Sequence, residues 1–264
     1  MLEVSAEKPG NITPRHDFHD TSYEDMLRSA IAIGPELARA GERGVGETVF
    51  AVVHASRGAA QANTNLGIAL LLAPLATAAL SGGPLRERLA ATLAALDVAD
   101  AHAAYAAIRL ADAGGLDTRV EHDVRAEATV GLREAMASAA GRDSIAAEYV
   151  SDFGLTFETG VPALVAALGD GLGEREAIVE LHMRLLAGVP DTLIARKRGP
   201  EAAARVSAGA REALAAGGVR TEAGRRALRG FDASLREPGN ALNPGTTADL
   251  VAATLFVALL EGML

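Results

Sequence analysis

Two short polar cassettes, Gln61-Ala-Asn-Thr-Asn-Leu-Gly67 and Asn243-Pro-Gly-Thr-Thr-Ala-Asp249, have the residue types and placement to hold an anion. Each runs directly into a stretch without charge, Leu66 to Leu80 and Leu250 to Leu260. A helix start leaves backbone N–H groups without intrahelical acceptors and carries partial positive charge, so a phosphate is a natural partner there. One capping side chain would satisfy a helix. Asn63, Thr64 and Asn65 stand in a row, and this surplus makes them, with Gly67, candidates for ligand contact. Gly245, Thr246 and Thr247 are the matching candidates in the second cassette.

The segment from Lys8 to Asp20 places one Lys, one Arg, two His and two Asp close together. Asp17 and Asp20 are loop carboxylates of the kind that bind Mg²⁺, which takes one or two carboxylates together with substrate phosphate oxygens. Lys8 and Arg15 can neutralise the remaining phosphate charge, and Asn11 and His16 add hydrogen-bonding groups. The alternative is a solvated loop whose charges pair among themselves. His16 and His19 have a metal-like spacing, but a structural zinc site takes four ligands and the chain has no Cys.

Further candidates are scattered along the chain. Arg57 precedes the first cassette and either reaches a phosphate or lies on the surface. Asp97 and Asp100, three apart on one helical face, interrupt an apolar stripe, which suits either a solvated face or a carboxylate base. Arg142 lies beside Asp143, a candidate N-cap. Asp191-Thr192 and the run Arg196-Lys-Arg-Gly199 supply the densest basic cluster, although a helix C-terminus also favours basic residues.

These residues must be positioned by helices, because apolar spacing is helical nearly throughout and no alternating strand is evident. The spacing predicts helices over 23–39, with Ser22 as a cap, and over 47–60, 66–80, 85–113, 123–140, 143–153, 160–169 and 174–187. A short helix starts at Asp191, and others cover 200–216, 221–236 and 247 to the end. Gly41 to Gly46 reads as a turn. Met1 to Glu7 reads like the tail of a helix already in progress, as if an N-terminal helix were missing.

Composition agrees with an all-α fold. Of 264 residues, 49% are hydrophobic and only 3% aromatic, so Leu, Ala, Val and Ile must fill a core of closely packed helices. No linker divides the chain, and one compact multi-helix domain over residues 1–264, built around buried apolar helices, is expected. The net charge of −9 argues against nucleic-acid binding. The two uncharged runs fall short of the roughly 18 residues of a membrane span and read as core helices. The absence of Cys and of a visible signal peptide fits a cytoplasmic protein.

Several common signatures are missing. There is no Gly-x4-Gly-Lys-Ser/Thr loop, no Gly-x-Ser-x-Gly elbow and no Glu-x-x-His pair. Gly41-x-x-Gly-x-Gly46 follows a helix, which is the wrong setting for a dinucleotide fingerprint.

Taken in order, Lys8-Pro-Gly10, the His/Asp loop to Asp20, Asn63-Thr-Asn-Leu-Gly67, Asp191-Thr192 with Arg196–Gly199, and Asn243-Pro-Gly-Thr-Thr-Ala-Asp-Leu250 resemble the triphosphoribosyl-dephospho-CoA synthase family. The resemblance covers nearly the whole chain. It implies an all-helical enzyme in which a hydroxyl of 3′-dephospho-CoA attacks ribose C1′ of ATP and expels adenine, with Mg²⁺ accompanying the nucleotide. The family's Asn-Thr-His-Lys-Gly is replaced by Asn63-Thr-Asn-Leu-Gly67, and its Ser-Pro-Gly-Gly-Ser-Ala-Asp by Asn243-Pro-Gly-Thr-Thr-Ala-Asp249. Ala107–Ala111 through Leu116, and Arg142–Ala146, are more similar to a branch of archaea and methylotrophs.

On this resemblance, Lys8, Arg57 and Arg196 would clamp phosphate, and Asn63, Asn65 and Thr246 would orient the donor. Asp249 or Asp97 would act as base, and Asp17 and Asp20 would hold Mg²⁺ or lie beneath the sugar. Its partners would be a nucleotide donor and a phosphorylated cofactor precursor, with no nucleic acid or membrane; a homo-oligomer is left open. Two alternatives stand beside it: a transferase using phosphoribosyl pyrophosphate for a tetrahydromethanopterin-type cofactor, and a non-catalytic nucleotide-binding helical protein.

Overall fold

The structure, a computed structural model, describes residues 1–60, 65–111 and 122–264. Its described residues form thirteen α-helices and no strand; an isolated antiparallel bridge joins Thr13 and His16. The contacts gather into two units, residues 24–154 and residues 1–23 with 155–264.

The first unit contains α1 (Tyr23–Ala38), α2 (Val45–Ala59), α3 (Leu66–Leu80), α4 (Leu85–Ala94), α5 (Val98–Ala111), α6 (Leu132–Ala139) and α7 (Ser144–Val150). α2 packs most extensively on α5. A methyl group on Gly46 would meet the Asp100 carbonyl oxygen at 2.2 Å, so only glycine permits this approach. Gly46 therefore lies inside α2, and the expected turn is shortened to a 3₁₀ segment, Ala40–Glu42.

α3 is buried from Ala69 to Ala78, apart from Thr77, as its lack of charge requires. Pro74 has no N–H to give the Leu70 carbonyl four residues earlier. The hydroxyl of Tyr149, fully buried on α7, donates to that carbonyl at 2.7 Å instead. Burial raises the Tyr149 pKa, which keeps the phenol protonated as the donor.

Two helix expectations are corrected here. The single helix over 85–113 is broken at residues 95–97 into α4 and α5, because Asp97 and Asp100 form a reciprocal cap. Asp97 Oδ1 accepts the Asp100 N–H at 3.0 Å, and Asp100 Oδ2 accepts the Asp97 N–H at 3.2 Å. The helix expected over 123–140 starts only at Leu132, with Gly131 at its N-cap. Gly131 lies so close to the Leu96 carbonyl that a Cβ would approach it at 2.7 Å.

The second unit contains α8 (Val161–Gly169), α9 (Glu174–Gly188), α10 (Thr192–Arg198), α11 (Pro200–Ala215), α12 (Glu222–Leu235) and α13 (Gly245–Leu260). A π-helical turn, Leu155–Gly160, leads into α8. α13 packs against this turn, α8, α9 and α10. Gly160 allows the close approach, since a Cβ there would lie 2.3 Å from Thr254 Oγ1. The N-terminal segment belongs to this unit; its residues 2–5 form turns rather than the helix tail expected over Met1–Glu7. Among the described residues, no single helix is long and apolar enough to cross a membrane.

Candidate functional site

In the unit formed by residues 1–23 and 155–264, three of the flagged segments meet. Asp191 is buried at the start of α10, where its Oδ1 accepts the N–H groups of Leu193 at 2.9 Å and Ile194 at 3.1 Å. Its Oδ2 accepts both the N–H of Thr247, at 2.7 Å, and the Thr247 hydroxyl, at 2.8 Å. One carboxylate thus caps α10 and joins it to the first turn of α13. Burial pushes the Asp191 pKa up, while the four donors pull the other way.

The anion expected at the start of α13 is therefore provided, at least at Thr247, by the protein itself. Alongside, the Thr192 hydroxyl donates to Thr246 Oγ1 at 3.2 Å. Gly245 fits tightly, since a Cβ would lie 2.5 Å from Leu193 Cδ2. Asp249, one turn further along α13, is half-buried and engaged in interactions of its own.

The N-terminal loop reaches the same helix start. Asn11 Nδ2 donates to Asn243 Oδ1 at 2.7 Å and to the Pro244 carbonyl at 3.4 Å. Because that carbonyl can only accept, it fixes the orientation of the Asn11 amide. Asn11 Oδ1 is buried and has no hydrogen-bond partner among the described residues.

Lys8, expected to face phosphate, is fully buried. Its ammonium donates to the Glu3 carbonyl at 2.6 Å and pairs with Glu3 Oε1 at 2.8 Å. An ammonium taken out of water needs such partners, and Glu3 supplies them. His182 of α9 is buried close to Lys8 and the Pro9 backbone. Neither of its ring nitrogens meets strict hydrogen-bond geometry among the described residues. Burial, then the nearby Lys8 charge, push its pKa from 6.5 down to about 3, with Pro9 a small opposing influence.

The outer part of the loop is exposed. Arg15 lies 3.4 Å from Glu7 Oε1, and His16 is held by its backbone bridge to Thr13. Asp17 Oδ1 accepts the N–H of Tyr23 at 2.7 Å, and Asp20 sits beside Thr21 and His19. Arg196 is exposed on α10 and interacts with its surroundings. Its neighbour Lys197 is exposed as a residue. Partial burial of the ammonium, then Arg196, lower the Lys197 pKa, whereas Asp20 and Asp191 act to raise it. Asp20, Asp191, Arg196 and Lys197 are therefore electrostatic neighbours.

The other candidates lie in the unit of residues 24–154. Asn65 precedes α3 and is buried. Its side chain donates to Ser56 Oγ at 3.2 Å and makes no capping bond, and Gly67 sits in the first turn. Asn63 and Thr64 lie outside the described residues. Arg57 is exposed in the last turn of α2. Asp97 caps α5, and its partner Asp100 also accepts the Gly46 N–H at 2.8 Å. Arg142 donates to the Ser138 carbonyl at 2.7 Å, while Asp143 caps α7 as expected.

Glu3, His182, Lys197 and Asp232 were not singled out from the sequence. Only Lys197, inside the basic run, carried a signal. The other three look like ordinary residues of turns or helices, and tertiary packing alone reveals them.

Fold and site together define an all-α protein in which two helix starts and a basic helix end gather around buried polar side chains. A family model described as ATP:dephospho-CoA triphosphoribosyl transferase matches residues 1–264, and the chain belongs to this family. It is 39% identical over 108 residues to a Stutzerimonas stutzeri protein named probable 2-(5′′-triphosphoribosyl)-3′-dephosphocoenzyme-A synthase, covering 40% of this chain and 36% of that one. A Klebsiella pneumoniae protein named 2-(5′′-triphosphoribosyl)-3′-dephosphocoenzyme-A synthase is 36% identical over 104 residues, covering 39% of this chain and 36% of that one. In these alignments the chain spans about a third of the length of the curated relatives it matches. A solved structure from Archaeoglobus fulgidus that carries the triphosphoribosyl-dephospho-CoA synthase name is similar at a TM-score of 0.70 and 32% identity. That likeness covers 89% of this chain and 99% of the other.

Proposed function

We propose that this chain transfers a triphosphoribosyl group from ATP to a hydroxyl of 3′-dephospho-CoA or a closely related cofactor precursor, releasing adenine. The observation that carries the reading is the convergence at the start of α13. Asn11 reaches Asn243 there at 2.7 Å, Asp191 reaches Thr247 at 2.7 Å, and the basic end of α10 feels Asp20 and Asp191. Membership of the transferase family supplies the reaction class. Neither phosphoribosyl pyrophosphate as donor nor a non-catalytic role gains support from the relatives.

In this reading Arg15, Arg196 and Lys197 neutralise the polyphosphate, while Lys8, held by Glu3, fixes the loop that presents Asn11. Asn11 and Thr246 orient the donor, while Thr247, whose N–H and hydroxyl both go to Asp191 Oδ2, fixes the start of α13. As the acceptor oxygen bonds to C1′, the C1′–N9 bond breaks and its electron pair leaves with adenine, which takes up a proton. The acceptor's proton passes to a carboxylate, for which Asp249 on α13 is the candidate. Negative charge near C1′ stabilises the oxocarbenium-like state, as in glycoside hydrolysis.

Asp17 and Asp20 fit a role with Mg²⁺ of a limited kind. Among the described residues no group of three or more His, Asp or Glu is arranged to hold a metal ion. Two loop carboxylates match an ion that arrives with its nucleotide and keeps phosphate oxygens as ligands. Such an ion would supply charge neutralisation of the triphosphate.

The test is to incubate the protein with Mg-ATP, with and without 3′-dephospho-CoA, and separate the products. Adenine released only when acceptor is present supports the proposal. Pyrophosphate released from phosphoribosyl pyrophosphate, with ATP left intact, refutes it.

A further inference from the structure

The turn that presents Asn11 is held from a helix that the reaction scheme does not use. Gly10 has φ +78, and a Cβ there would lie 2.8 Å from both Leu235 Cδ1 and Pro244 Cδ. Its backbone is thus wedged between α12 and the approach to α13. The Gly10 N–H donates to Asp232 Oδ1 at 2.8 Å. The same oxygen accepts Arg236 Nε at 3.1 Å and a terminal guanidinium nitrogen at 2.7 Å. Arg236 lies one turn after Asp232, and both side chains are part-buried. A carboxylate pinned by a guanidinium in this way has little rotamer freedom left, so it fixes the position of the amide it accepts.

We propose that Asp232 is a positioning residue for the nucleotide donor, acting through Gly10 on Asn11. The inference rests on the donor site proposed above and adds a residue that touches no substrate. Asn11 directly follows Gly10, and its amide must meet Asn243 and Pro244 together. Releasing the Gly10 N–H frees the turn and misaligns Asn11, although the helices keep their packing. What the Gly10 N–H itself requires is an oxygen acceptor at Oδ1, and Asn retains one that Arg236 can still hold in place.

The experiment compares the wild type, Asp232→Ala and Asp232→Asn. Calorimetry gives the Kd for Mg-ATP, and amide hydrogen exchange gives the protection of residues 8–13. Asp232→Ala should weaken Mg-ATP binding by about tenfold or more and deprotect this turn, the scale of losing a charge-assisted hydrogen bond. Asp232→Asn should stay within about threefold of wild type, since its amide oxygen can still accept the Gly10 N–H. A purely structural role would make both variants lose thermal stability without this split. Wild-type affinity in Asp232→Ala, or equal loss in both variants, overturns the proposal. A wild type that binds Mg-ATP but releases no adenine defeats the transferase reading and leaves the Asp232 comparison intact.

Discussion

Asp191 and Thr247, 56 positions apart in sequence, are joined twice: the N–H and the hydroxyl of Thr247 both donate to Asp191 Oδ2, at 2.7 and 2.8 Å. With Oδ1 capping α10, this one carboxylate sets the angle between the helix that bears the basic cluster and the helix that starts the second cassette. Asp191→Ala should strand several N–H donors in a dry environment and cost about 2–4 kcal/mol. Asp191→Asn would keep one acceptor but turn an N–H₂ donor toward one of the two helix starts. Denaturant unfolding should show both losses, with exchange at Thr247 rising first. Unchanged stability in Asp191→Ala would show that this carboxylate does not hold the two helix starts together.

Tyr149→Phe should cost about 1–3 kcal/mol, because it leaves the Leu70 carbonyl buried with no N–H from Pro74 to replace the phenol. Adding Pro74→Ala restores the intrahelical donor. In that background Tyr149→Phe should cost markedly less, and a double-mutant cycle measures the difference. Equal penalties in both backgrounds would mean that the phenol matters only through packing.

His182 gives the folded chain an acid sensitivity. Its pKa is pushed from 6.5 down to about 3 by burial and by Lys8, so between these values the unfolded chain holds a proton that the folded chain lacks. Stability therefore rises with pH across that window, by up to about 1.4 kcal/mol per pH unit, and levels off above it. His182→Leu removes the titrating group along with two ring nitrogens that lack strict hydrogen bonds. The variant should be as stable as wild type near neutrality and lose this slope. Urea midpoints between about pH 4 and pH 7 test it, and parallel curves for the two proteins would refute it.

Gly10→Ala should damage nucleotide binding more than folding. The positive φ and the 2.8 Å approach to Leu235 and Pro244 leave no room for a methyl group, so the turn must shift and carry Asn11 with it. Mg-ATP affinity should fall by about tenfold or more while the melting temperature drops by only a few degrees. Wild-type affinity would show that Asn11 does not depend on this turn.

The helices were largely legible because their apolar spacing and Gly/Pro breaks are strong, and α3, α9 and α13 fall close to their expected bounds. The break at residues 95–97 was hidden by continuous apolar spacing, although Asp97-x-x-Asp100 is itself a capping pattern. The segment before Leu132 is rich in Ala, Glu and Arg, which favour helix, but Gly131 is needed for its contact with Leu96. In the candidate site, the residue types at the helix starts could be read from sequence. Their partners could not: Asp191 with Thr247, Gly10 with Asp232 and Lys8 with Glu3 depend on tertiary packing, which no local pattern encodes.

Transfer of the ribose with its triphosphate is followed most directly with ATP carrying ¹³C throughout its ribose, incubated with the protein, Mg²⁺ and 3′-dephospho-CoA, and mass spectrometry of the acceptor. Cleavage at C1′ predicts an acceptor that gains the labelled ribose with all three phosphates attached, together with unlabelled free adenine. An acceptor that gains only phosphate, or label that remains joined to adenine in ADP or AMP, would contradict it.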